Sequence, residues 1–227
     1  MMIFTQARLN SQRLPKKMVR NFCGRSLWDI ACEKLHRLPF PKEQKYVSVY
    51  EPELKEIAAQ YDISIFDRSE ASANSDKDVS LIWEICNLPF DRYVLFNACL
   101  PMLSENTILD FASCFKDNEY RSLFGVRPLK DYVWNKEGKL IHPPGTTMLN
   151  TKEFDEFPDR QLYLAAHCLY AGQCSDILNN IQLGDFSVGY PAIYPIKNKM
   201  EMFDVDDYDD FLIAEAIYDR FDKSVPW

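Results

Sequence analysis

The sequence predicts an α/β protein with a mostly parallel central sheet. Short apolar runs recur at Met2-Ile3-Phe4, Tyr46–Tyr50, Ile63–Phe66 and Tyr93–Phe96, and stretches of helical spacing separate them. Strand and helix in alternation is the pattern of right-handed βαβ units. A basic, acid-free amino end and an acid-rich carboxyl end point to chemistry carried on that frame: residues 1–28 hold Arg8, Arg13, Lys16, Lys17, Arg20 and Arg25, although the whole chain has a net charge of -8.

In chain order, the first apolar run leads into the polar stretch QARLNSQRLPKKMVRNFCG at residues 6–24. A basic loop after a strand sets cations and backbone N–H groups at the C-terminal edge of a sheet, where α/β proteins bind phosphates. Ser26 then caps a helix to Leu38 with Leu27, Ile30, Ala31 and Leu35 on one side, and Pro39 and Pro41 end it. Tyr46–Tyr50 reads as a strand, Pro52–Gln60 as a helix with proline in its first turn, and Ile63–Phe66 as a strand ending at Asp67-Arg68. A helix is expected near Asp78–Cys86. Tyr93–Phe96 is apolar throughout, as a strand buried on both faces should be, and empties into Asn97-Ala98-Cys99-Leu100-Pro101. Ser104 caps a helix to about Lys116, and Arg121–Val126 is a fifth strand.

From there the rhythm breaks. Val133-Trp134 and Lys139–Ile141 flank the turn Asn135-Lys136-Glu137-Gly138, a hairpin signal. Leu164–Ala171 suggests a strand followed by a helix from Gln173 to Ile181. With no linker flanking it, this stretch is expected to be an arm at about 128–187 inserted in one domain spanning 1–227. Period-two alternation from Val188 to Ile196 gives a further strand. Residues 201–222 carry nine acids against the single base Arg220. Leu212, Ile213, Ala216 and Ile217 are expected to form the apolar stripe of a last helix capped by Asp207, with Tyr208, Phe211, Tyr218 and Phe221 fixing it to the sheet. Asp204 and Asp206 alternate around Val205, so on a strand end both carboxylates would point out of the sheet together.

Composition narrows the function. At 227 residues with 47% hydrophobic content the chain can bury one sizeable core. No apolar stretch reaches the ~18 residues of a membrane span and the start lacks a signal-peptide core, so a cytoplasmic protein is expected, with no membrane partner. Seven cysteines make an odd count without a C-x-x-C pair, which fits reduced thiols and supports neither a disulfide framework nor a zinc site. Global acidity argues against a nucleic-acid polymer as partner. A basic loop with two carboxylates is the equipment for a nucleoside triphosphate and Mg²⁺: cations for phosphate oxygens, hard oxygens for a hard ion. Arg8, Arg13 and Lys17 are the candidate phosphate ligands and Asp204 and Asp206 the metal carboxylates. Lys16, Arg20, Arg25, Asp207, Asp209 and Asp210 read as solvated charges, Cys99 as a buried thiol, and His167, Tyr190 and Tyr194 as packing residues, His167 with a second option of facing a sugar pocket.

Gln6-Ala7-Arg8, Ser11, Arg13-Leu14-Pro15-Lys16-Lys17 and Gly24-Arg25-Ser26-Leu27 resemble the opening signature of the cytidylyltransferases that activate sugar acids, the acylneuraminate (CMP-sialic acid synthetase) family. Phe203-Asp204-Val205-Asp206 with Asp209-Asp210-Phe211 and Ala214-Glu215 is similar to that family's closing motif. Asp67-Arg68, Leu95-Phe96-Asn97 with Pro101, and Arg160-Gln161 with Tyr170 fall in matching order between them. The resemblance implies a Rossmann-like nucleotidyltransferase (GT-A-like) fold with a dimerisation and sugar-covering arm, and a homodimer. It implies CTP and a sugar-acid acceptor as substrates, with Arg8, Lys17 and Asp206 catalytic. Ala7, Arg8, Arg13, Lys17, Arg68 and Asn97 would bind nucleotide, Asn97, Arg160 and Tyr170 the sugar, and Asp204 and Asp206 Mg²⁺. Two departures stand out: Met18 replaces the asparagine that follows the lysine in sialate-type members, and Asn97–Pro101 replaces the acidic motif of the ketodeoxyoctonate branch. Two other readings follow from the same residues: a metal-dependent glycosyltransferase using Asp204-Val205-Asp206 as a D-x-D, and a non-catalytic nucleotide-binding homologue.

Overall fold

The computed structural model describes residues 1–74, 82–143, 145, 149, 161–181, 189–218 and 220. They fold around a seven-stranded sheet of order β3-β2-β1-β4-β8-β5-β9. The strands are β1 (Met2–Gln6), β2 (Lys45–Val49), β3 (Ser64–Asp67), β4 (Arg92–Phe96), β5 (Leu123–Leu129), β8 (Leu162–Gln173) and β9 (Ala192–Pro195), and β6 (Val133–Trp134) with β7 (Leu140–His142) forms a separate hairpin. The helices are α1 (Leu27–Arg37), α2 (Pro52–Ala58), α3 (Glu70–Ala73), α4 (Glu105–Asp117), α5 (Cys174–Leu178) and α6 (Tyr208–Tyr218).

β1 lies between β2 and β4 and is parallel to both, which explains a run with no polar residue before Thr5. Its two faces feed two cores. Ile3, Val47, Val94 and Phe96 pack under α1, α2, α4 and α6, while Met2, Phe4, Tyr93 and Leu95 pack with Ile85, Cys86 and Ile177 on the other side. Parallel neighbours β1, β2, β3 and β4 all end at the same edge, so the loops after residues 6, 49, 67 and 96 open together. Ser26 and Ser104 cap α1 and α4 through the N–H groups of Asp29 and Thr107, as their spacing predicts. Cys23 (φ 49°) and Gly24 (φ 78°) are the two central residues of the turn closed by Phe22 and Arg25, whose N–H and C=O groups exchange bonds of 2.8 and 3.0 Å. Two successive positive φ values make it a type I′ turn, which needs a residue like Gly24.

Three expectations are corrected. The range 128–187 is not wholly outside the sheet: β8 runs antiparallel between β4 and β5, and among the described residues of that range only the β6–β7 hairpin forms a sheet of its own. The residues Leu162–Leu164 start as exposed strand and become buried from Ala166, so one long strand serves both the periphery and the core. On α6, Leu212 and Ile213 are exposed and Ala216 is too; the packed residues are Phe211, Ala214 and Tyr218, because Phe22 receives both Phe211 and Tyr218 at centroid distances of 5.3 and 5.2 Å. Asp204 and Asp206 lie in an extended segment that follows a 3-10 turn and belongs to no strand. The start of the helix expected near Asp78–Cys86, Arg160, Val188 and Phe221 lie outside the described residues. No helix among those described is long and apolar enough to cross a membrane.

Where β8 passes β4, close packing requires glycine. A Cβ on Gly172 would stand 2.9 Å from the Tyr93 hydroxyl oxygen, and Tyr93 is buried. Gly172→Ala is expected to lower stability by about 1–3 kcal/mol, read as a drop in the urea midpoint at unchanged m-value.

Candidate active site

At the edge where the parallel strands end, the two charged ends of the chain meet. Lys17 comes from a 3-10 turn whose Met18 is buried. Its Nζ donates to the Val205 carbonyl at 2.6 Å and stands 3.4 Å from Asp206 Oδ1. Arg13 Nη2 reaches the same Oδ1 at 2.8 Å. Val205 is fully buried and its N–H donates to the Cys99 carbonyl at 3.0 Å, which turns Asp204 and Asp206 to the opposite side of the segment. The alternation expected of a strand is thus kept by one backbone bond to the loop after β4. Asp207 caps α6, its Oδ1 accepting from the Asp210 N–H at 3.0 Å, while Asp210 Oδ2 accepts from the N–H of Asp206 at 3.1 Å.

Asp204 is the most constrained carboxylate. Asn97 Nδ2 donates to its Oδ2 at 3.1 Å, and its Oδ1 is buried with no hydrogen-bond partner. Burial first, then the neighbouring Asp206, raises its pKa above the usual aspartate range. Burial opposes the charge on Lys17, yet Cys99, Asp204 and Asp206 together hold its pKa above the ordinary lysine value. Asn97 also donates from Nδ2 to the His167 carbonyl at 3.1 Å and accepts the Cys99 N–H at 2.9 Å, so one amide ties β4, β8 and the acidic segment together. His167 has φ 52°, at a bulge where β8 slips register against β5; its ring is exposed, with Nδ1 3.0 Å from the Tyr170 hydroxyl. Such strain persists where surrounding structure over-determines it, commonly at functional sites. Cys99 sits beside Lys17, but burial pushes its thiol up to about 11, which makes it no nucleophile.

A buried orphan oxygen on Asp204 and the carboxylate of Asp206 fit a hard divalent cation such as Mg²⁺, which takes one or two carboxylates and keeps waters or phosphate oxygens for the rest. Among the described residues there is no group of three or more His, Cys, Asp and Glu side chains that could hold a metal ion. Of the other predicted site residues, Arg68 is buried and donates to the Ala7 carbonyl at 2.6 Å, Arg8 is half-buried in the loop that follows, and Tyr170 lies on β8 against Phe124. Arg25, read as a surface charge, instead ties Asp29 and Glu33 of α1 through Nε and Nη1 contacts of 2.5 Å each.

Three supporting residues carried no signal of their own in the sequence. Glu51 accepts the Leu9 N–H at 2.8 Å. Glu201 is buried and receives the Ser104 N–H at 3.0 Å and the Thr107 hydroxyl at 2.7 Å, so the acid run contains one structural member. Lys34 Nζ donates to the carbonyls of Leu100 and Pro101 at 2.9 and 2.7 Å, fixing the loop that carries Asn97 and Cys99. Burial lowers its pKa from 10.5 to about 7, against the opposing pull of Glu105, Glu201 and Glu33. In the unfolded chain Lys34 still binds its proton between those values, so enclosing the charge destabilises the fold fully below pH 7 and ceases to do so as pH rises toward 10.5. Urea titrations over that window should show stability rising with pH in the parent, with a smaller slope in Lys34→Met.

Comparison with known proteins agrees with this geometry. A family model described as cytidylyltransferase matches residues 2–202. A comparison with curated protein sequences finds no match. Among solved structures, a CMP:2-keto-3-deoxy-manno-octonic acid synthetase complexed with CTP superposes with a TM-score of 0.66 at 12% identity, covering 97% of this chain and 98% of its own. The 4-diphosphocytidyl-2C-methyl-D-erythritol synthase of Anaerococcus prevotii gives 0.70 at 14% identity with 96% of each chain covered. A cytidylyltransferase of Leptospira borgpetersenii gives 0.60 at 15%, covering 98% of this chain and 87% of its own. At such identities the superpositions speak for a Rossmann-like nucleotidyltransferase fold. With the family model spanning most of its length and its charged ends meeting at the strand edge, the chain belongs to the cytidylyltransferase family.

Proposed function

We propose that the protein transfers CMP from CTP to a hydroxyl of a sugar acid and releases pyrophosphate. The family supports CTP as the nucleotide, in preference to the nucleotide sugar of a glycosyltransferase. The observation that carries the reading is the convergence of Arg13 and Lys17 on Asp206 beside the unpartnered Asp204 Oδ1. The acceptor oxygen attacks the α-phosphorus, the bond to the β-phosphate oxygen breaks, pyrophosphate leaves and the hydroxyl proton passes to solvent. This displacement needs alignment and charge neutralisation more than covalent help. Arg8, Arg13 and Lys17 offset the charge of the triphosphate and its leaving group. Asp204 and Asp206 hold Mg²⁺, which supplies a Lewis acid toward the phosphate oxygens. Asn97 keeps Asp204 turned inward, and the exposed His167 ring with Tyr170 borders the acceptor side. Arg160, outside the described residues, is assigned to the sugar carboxylate from the family resemblance alone.

Sugar acids are favoured because the opening and closing motifs resemble enzymes that activate them, and because one structural neighbour is such a synthetase. The exposed apolar residues Trp134 and Ile141 on the β6–β7 hairpin and Leu162 and Tyr163 on β8 fit burial against a second copy, giving a homodimer through an arm within 128–187. Seven cysteines, none in a disulfide, suit a reducing cytoplasm. The test is pyrophosphate release with each of the four ribonucleoside triphosphates against sialic, legionaminic, pseudaminic and ketodeoxy acids, with aldose and polyol phosphates included. Release with CTP and a sugar acid is expected. Release only with a phosphorylated polyol moves the acceptor class, and CTP binding without release across the panel favours a non-catalytic homologue.

A further inference from the structure

The bulge of β8 bears on one side chain of the neighbouring chain segment. Between the pairs Phe124–Tyr170 and Val126–Ala165, β5 has the single residue Gly125 while β8 has residues 166–169. The extra backbone sits where β5 lacks a side chain: a Cβ on Gly125 would stand 3.0 Å from Cys168 Sγ. Within the bulge His167 takes φ 52°, a left-handed conformation that costs energy in any residue with a Cβ.

The use of that conformation is visible on the β4 side. Asn97 directly follows β4, and its backbone N–H donates to the Cys168 carbonyl at 2.9 Å, continuing the antiparallel ladder. In a regular strand the preceding carbonyl, that of His167, would face the opposite edge. Here it turns to the same side and accepts from Asn97 Nδ2 at 3.1 Å. Two successive carbonyls of β8 thus hold one residue. Asn97 Nδ2 also donates to Asp204 Oδ2 at 3.1 Å, and its Oδ1 accepts the Cys99 N–H at 2.9 Å. A side-chain amide has two donor hydrogens. Both are engaged inside the protein, so none is left for a base or a sugar.

Resting on the cytidylyl-transfer reading and its metal role for Asp204, we propose that Asn97 is a positioning residue and no ligand of nucleotide or sugar. The bulge aims the His167 carbonyl, that carbonyl fixes the rotation of the amide, and the amide sets the angle at which Asp204 meets the ion. His167 serves this chain of contacts through its backbone, and its ring takes no part in it. A hydrogen bond to a ligating carboxylate orients it, and losing one weakens metal binding by about 10- to 100-fold.

Asn97→Ser isolates the two donors. The serine hydroxyl can still accept the Cys99 N–H, as short hydroxyl side chains do in turns, but it cannot span Asp204 and the His167 carbonyl. Mn²⁺ alone is titrated into each enzyme, with bound ion read by electron paramagnetic resonance, and CTP affinity is measured by calorimetry in EDTA. Asn97→Ser should bind Mn²⁺ at least about tenfold more weakly, with metal-free CTP affinity held within about threefold of wild type. His167→Gly, free to adopt a left-handed φ, should keep its Mn²⁺ affinity within about threefold. His167→Val, whose branched Cβ opposes that φ, should lose as much as Asn97→Ser. Urea midpoints establish that each variant is folded, and should His167→Val not fold, the other two decide. Three results overturn the proposal: a folded Asn97→Ser with Mn²⁺ affinity within about threefold of wild type, a loss of about tenfold in His167→Gly, or a fall of about tenfold in the metal-free CTP affinity of Asn97→Ser. The last would make Asn97 a nucleotide ligand. Failure of the parent reading looks different: wild type then takes up no more Mn²⁺ than Asp204→Ala, and the metal role of Asp204 falls together with the inference.

Discussion

Asp206→Asn is expected to cut the turnover of pyrophosphate release by about 1000-fold or more, a loss of about 4 kcal/mol in transition-state stabilisation. The side chain is 35% exposed and lies outside the core, so the fold should survive, with the thermal midpoint lowered by no more than about 5 °C. The reason for so large an effect is convergence on one oxygen. Asp206 Oδ1 receives Arg13 and Lys17, and in the proposed reaction the same carboxylate would be one of the two that hold Mg²⁺. An asparagine keeps the shape and loses the charge that both guests require. Turnover within tenfold of wild type, with CTP, acceptor and Mg²⁺ supplied, would refute the role given to Asp206.

Lys17→Met should lower kcat by about 100- to 1000-fold, a magnitude typical of losing one preorganised electrostatic contact to a developing charge. Lys17 has two parts to play: its 2.6 Å bond to the Val205 carbonyl holds the acidic segment in place, and in the proposed reaction its cation would face the leaving pyrophosphate. Lys17→Arg separates them. The lysine side chain is only 11% exposed, and a planar fork does not fit a site shaped for a point charge, so arginine should restore charge without restoring rate. Full recovery by arginine would show that charge alone matters. The raised pKa adds a check on stability: what Lys17 contributes is present throughout the range below 10.5 and is lost only in more alkaline solution, so Lys17→Met should narrow its deficit there.

The sheet was legible because its information is local. β1, β2, β3 and β4 are apolar runs between turn signals, and α1 and α4 announce themselves by capping serines. β8 was harder, since a strand that is exposed at Leu162–Leu164 and buried from Ala166 shows neither alternation nor a continuous apolar run. On α6 the spacing rule chose Leu212 and Ile213, which are exposed, whereas of the aromatic residues also expected to fix the helix Phe211 and Tyr218 do pack, on the ring of Phe22 far away in sequence, and Tyr208 does not. The charge clusters were readable as composition, and their meeting as a consequence of parallel strands ending together. Glu51, Lys34 and Glu201 were not, because each matters through bonds to distant backbone: Leu9, Leu100 and Pro101, and Ser104. No pattern of neighbours in a chain encodes such a bond.

Lys17 and Asp206 are separated by 189 positions along the chain. Both segments must therefore be synthesised before this charged cluster can form, and closing so long a loop comes late in folding because its entropy must be met first. Prematurely terminated products that stop before the acidic segment would bear the cationic turn alone, and would be inert even where their sheet had formed.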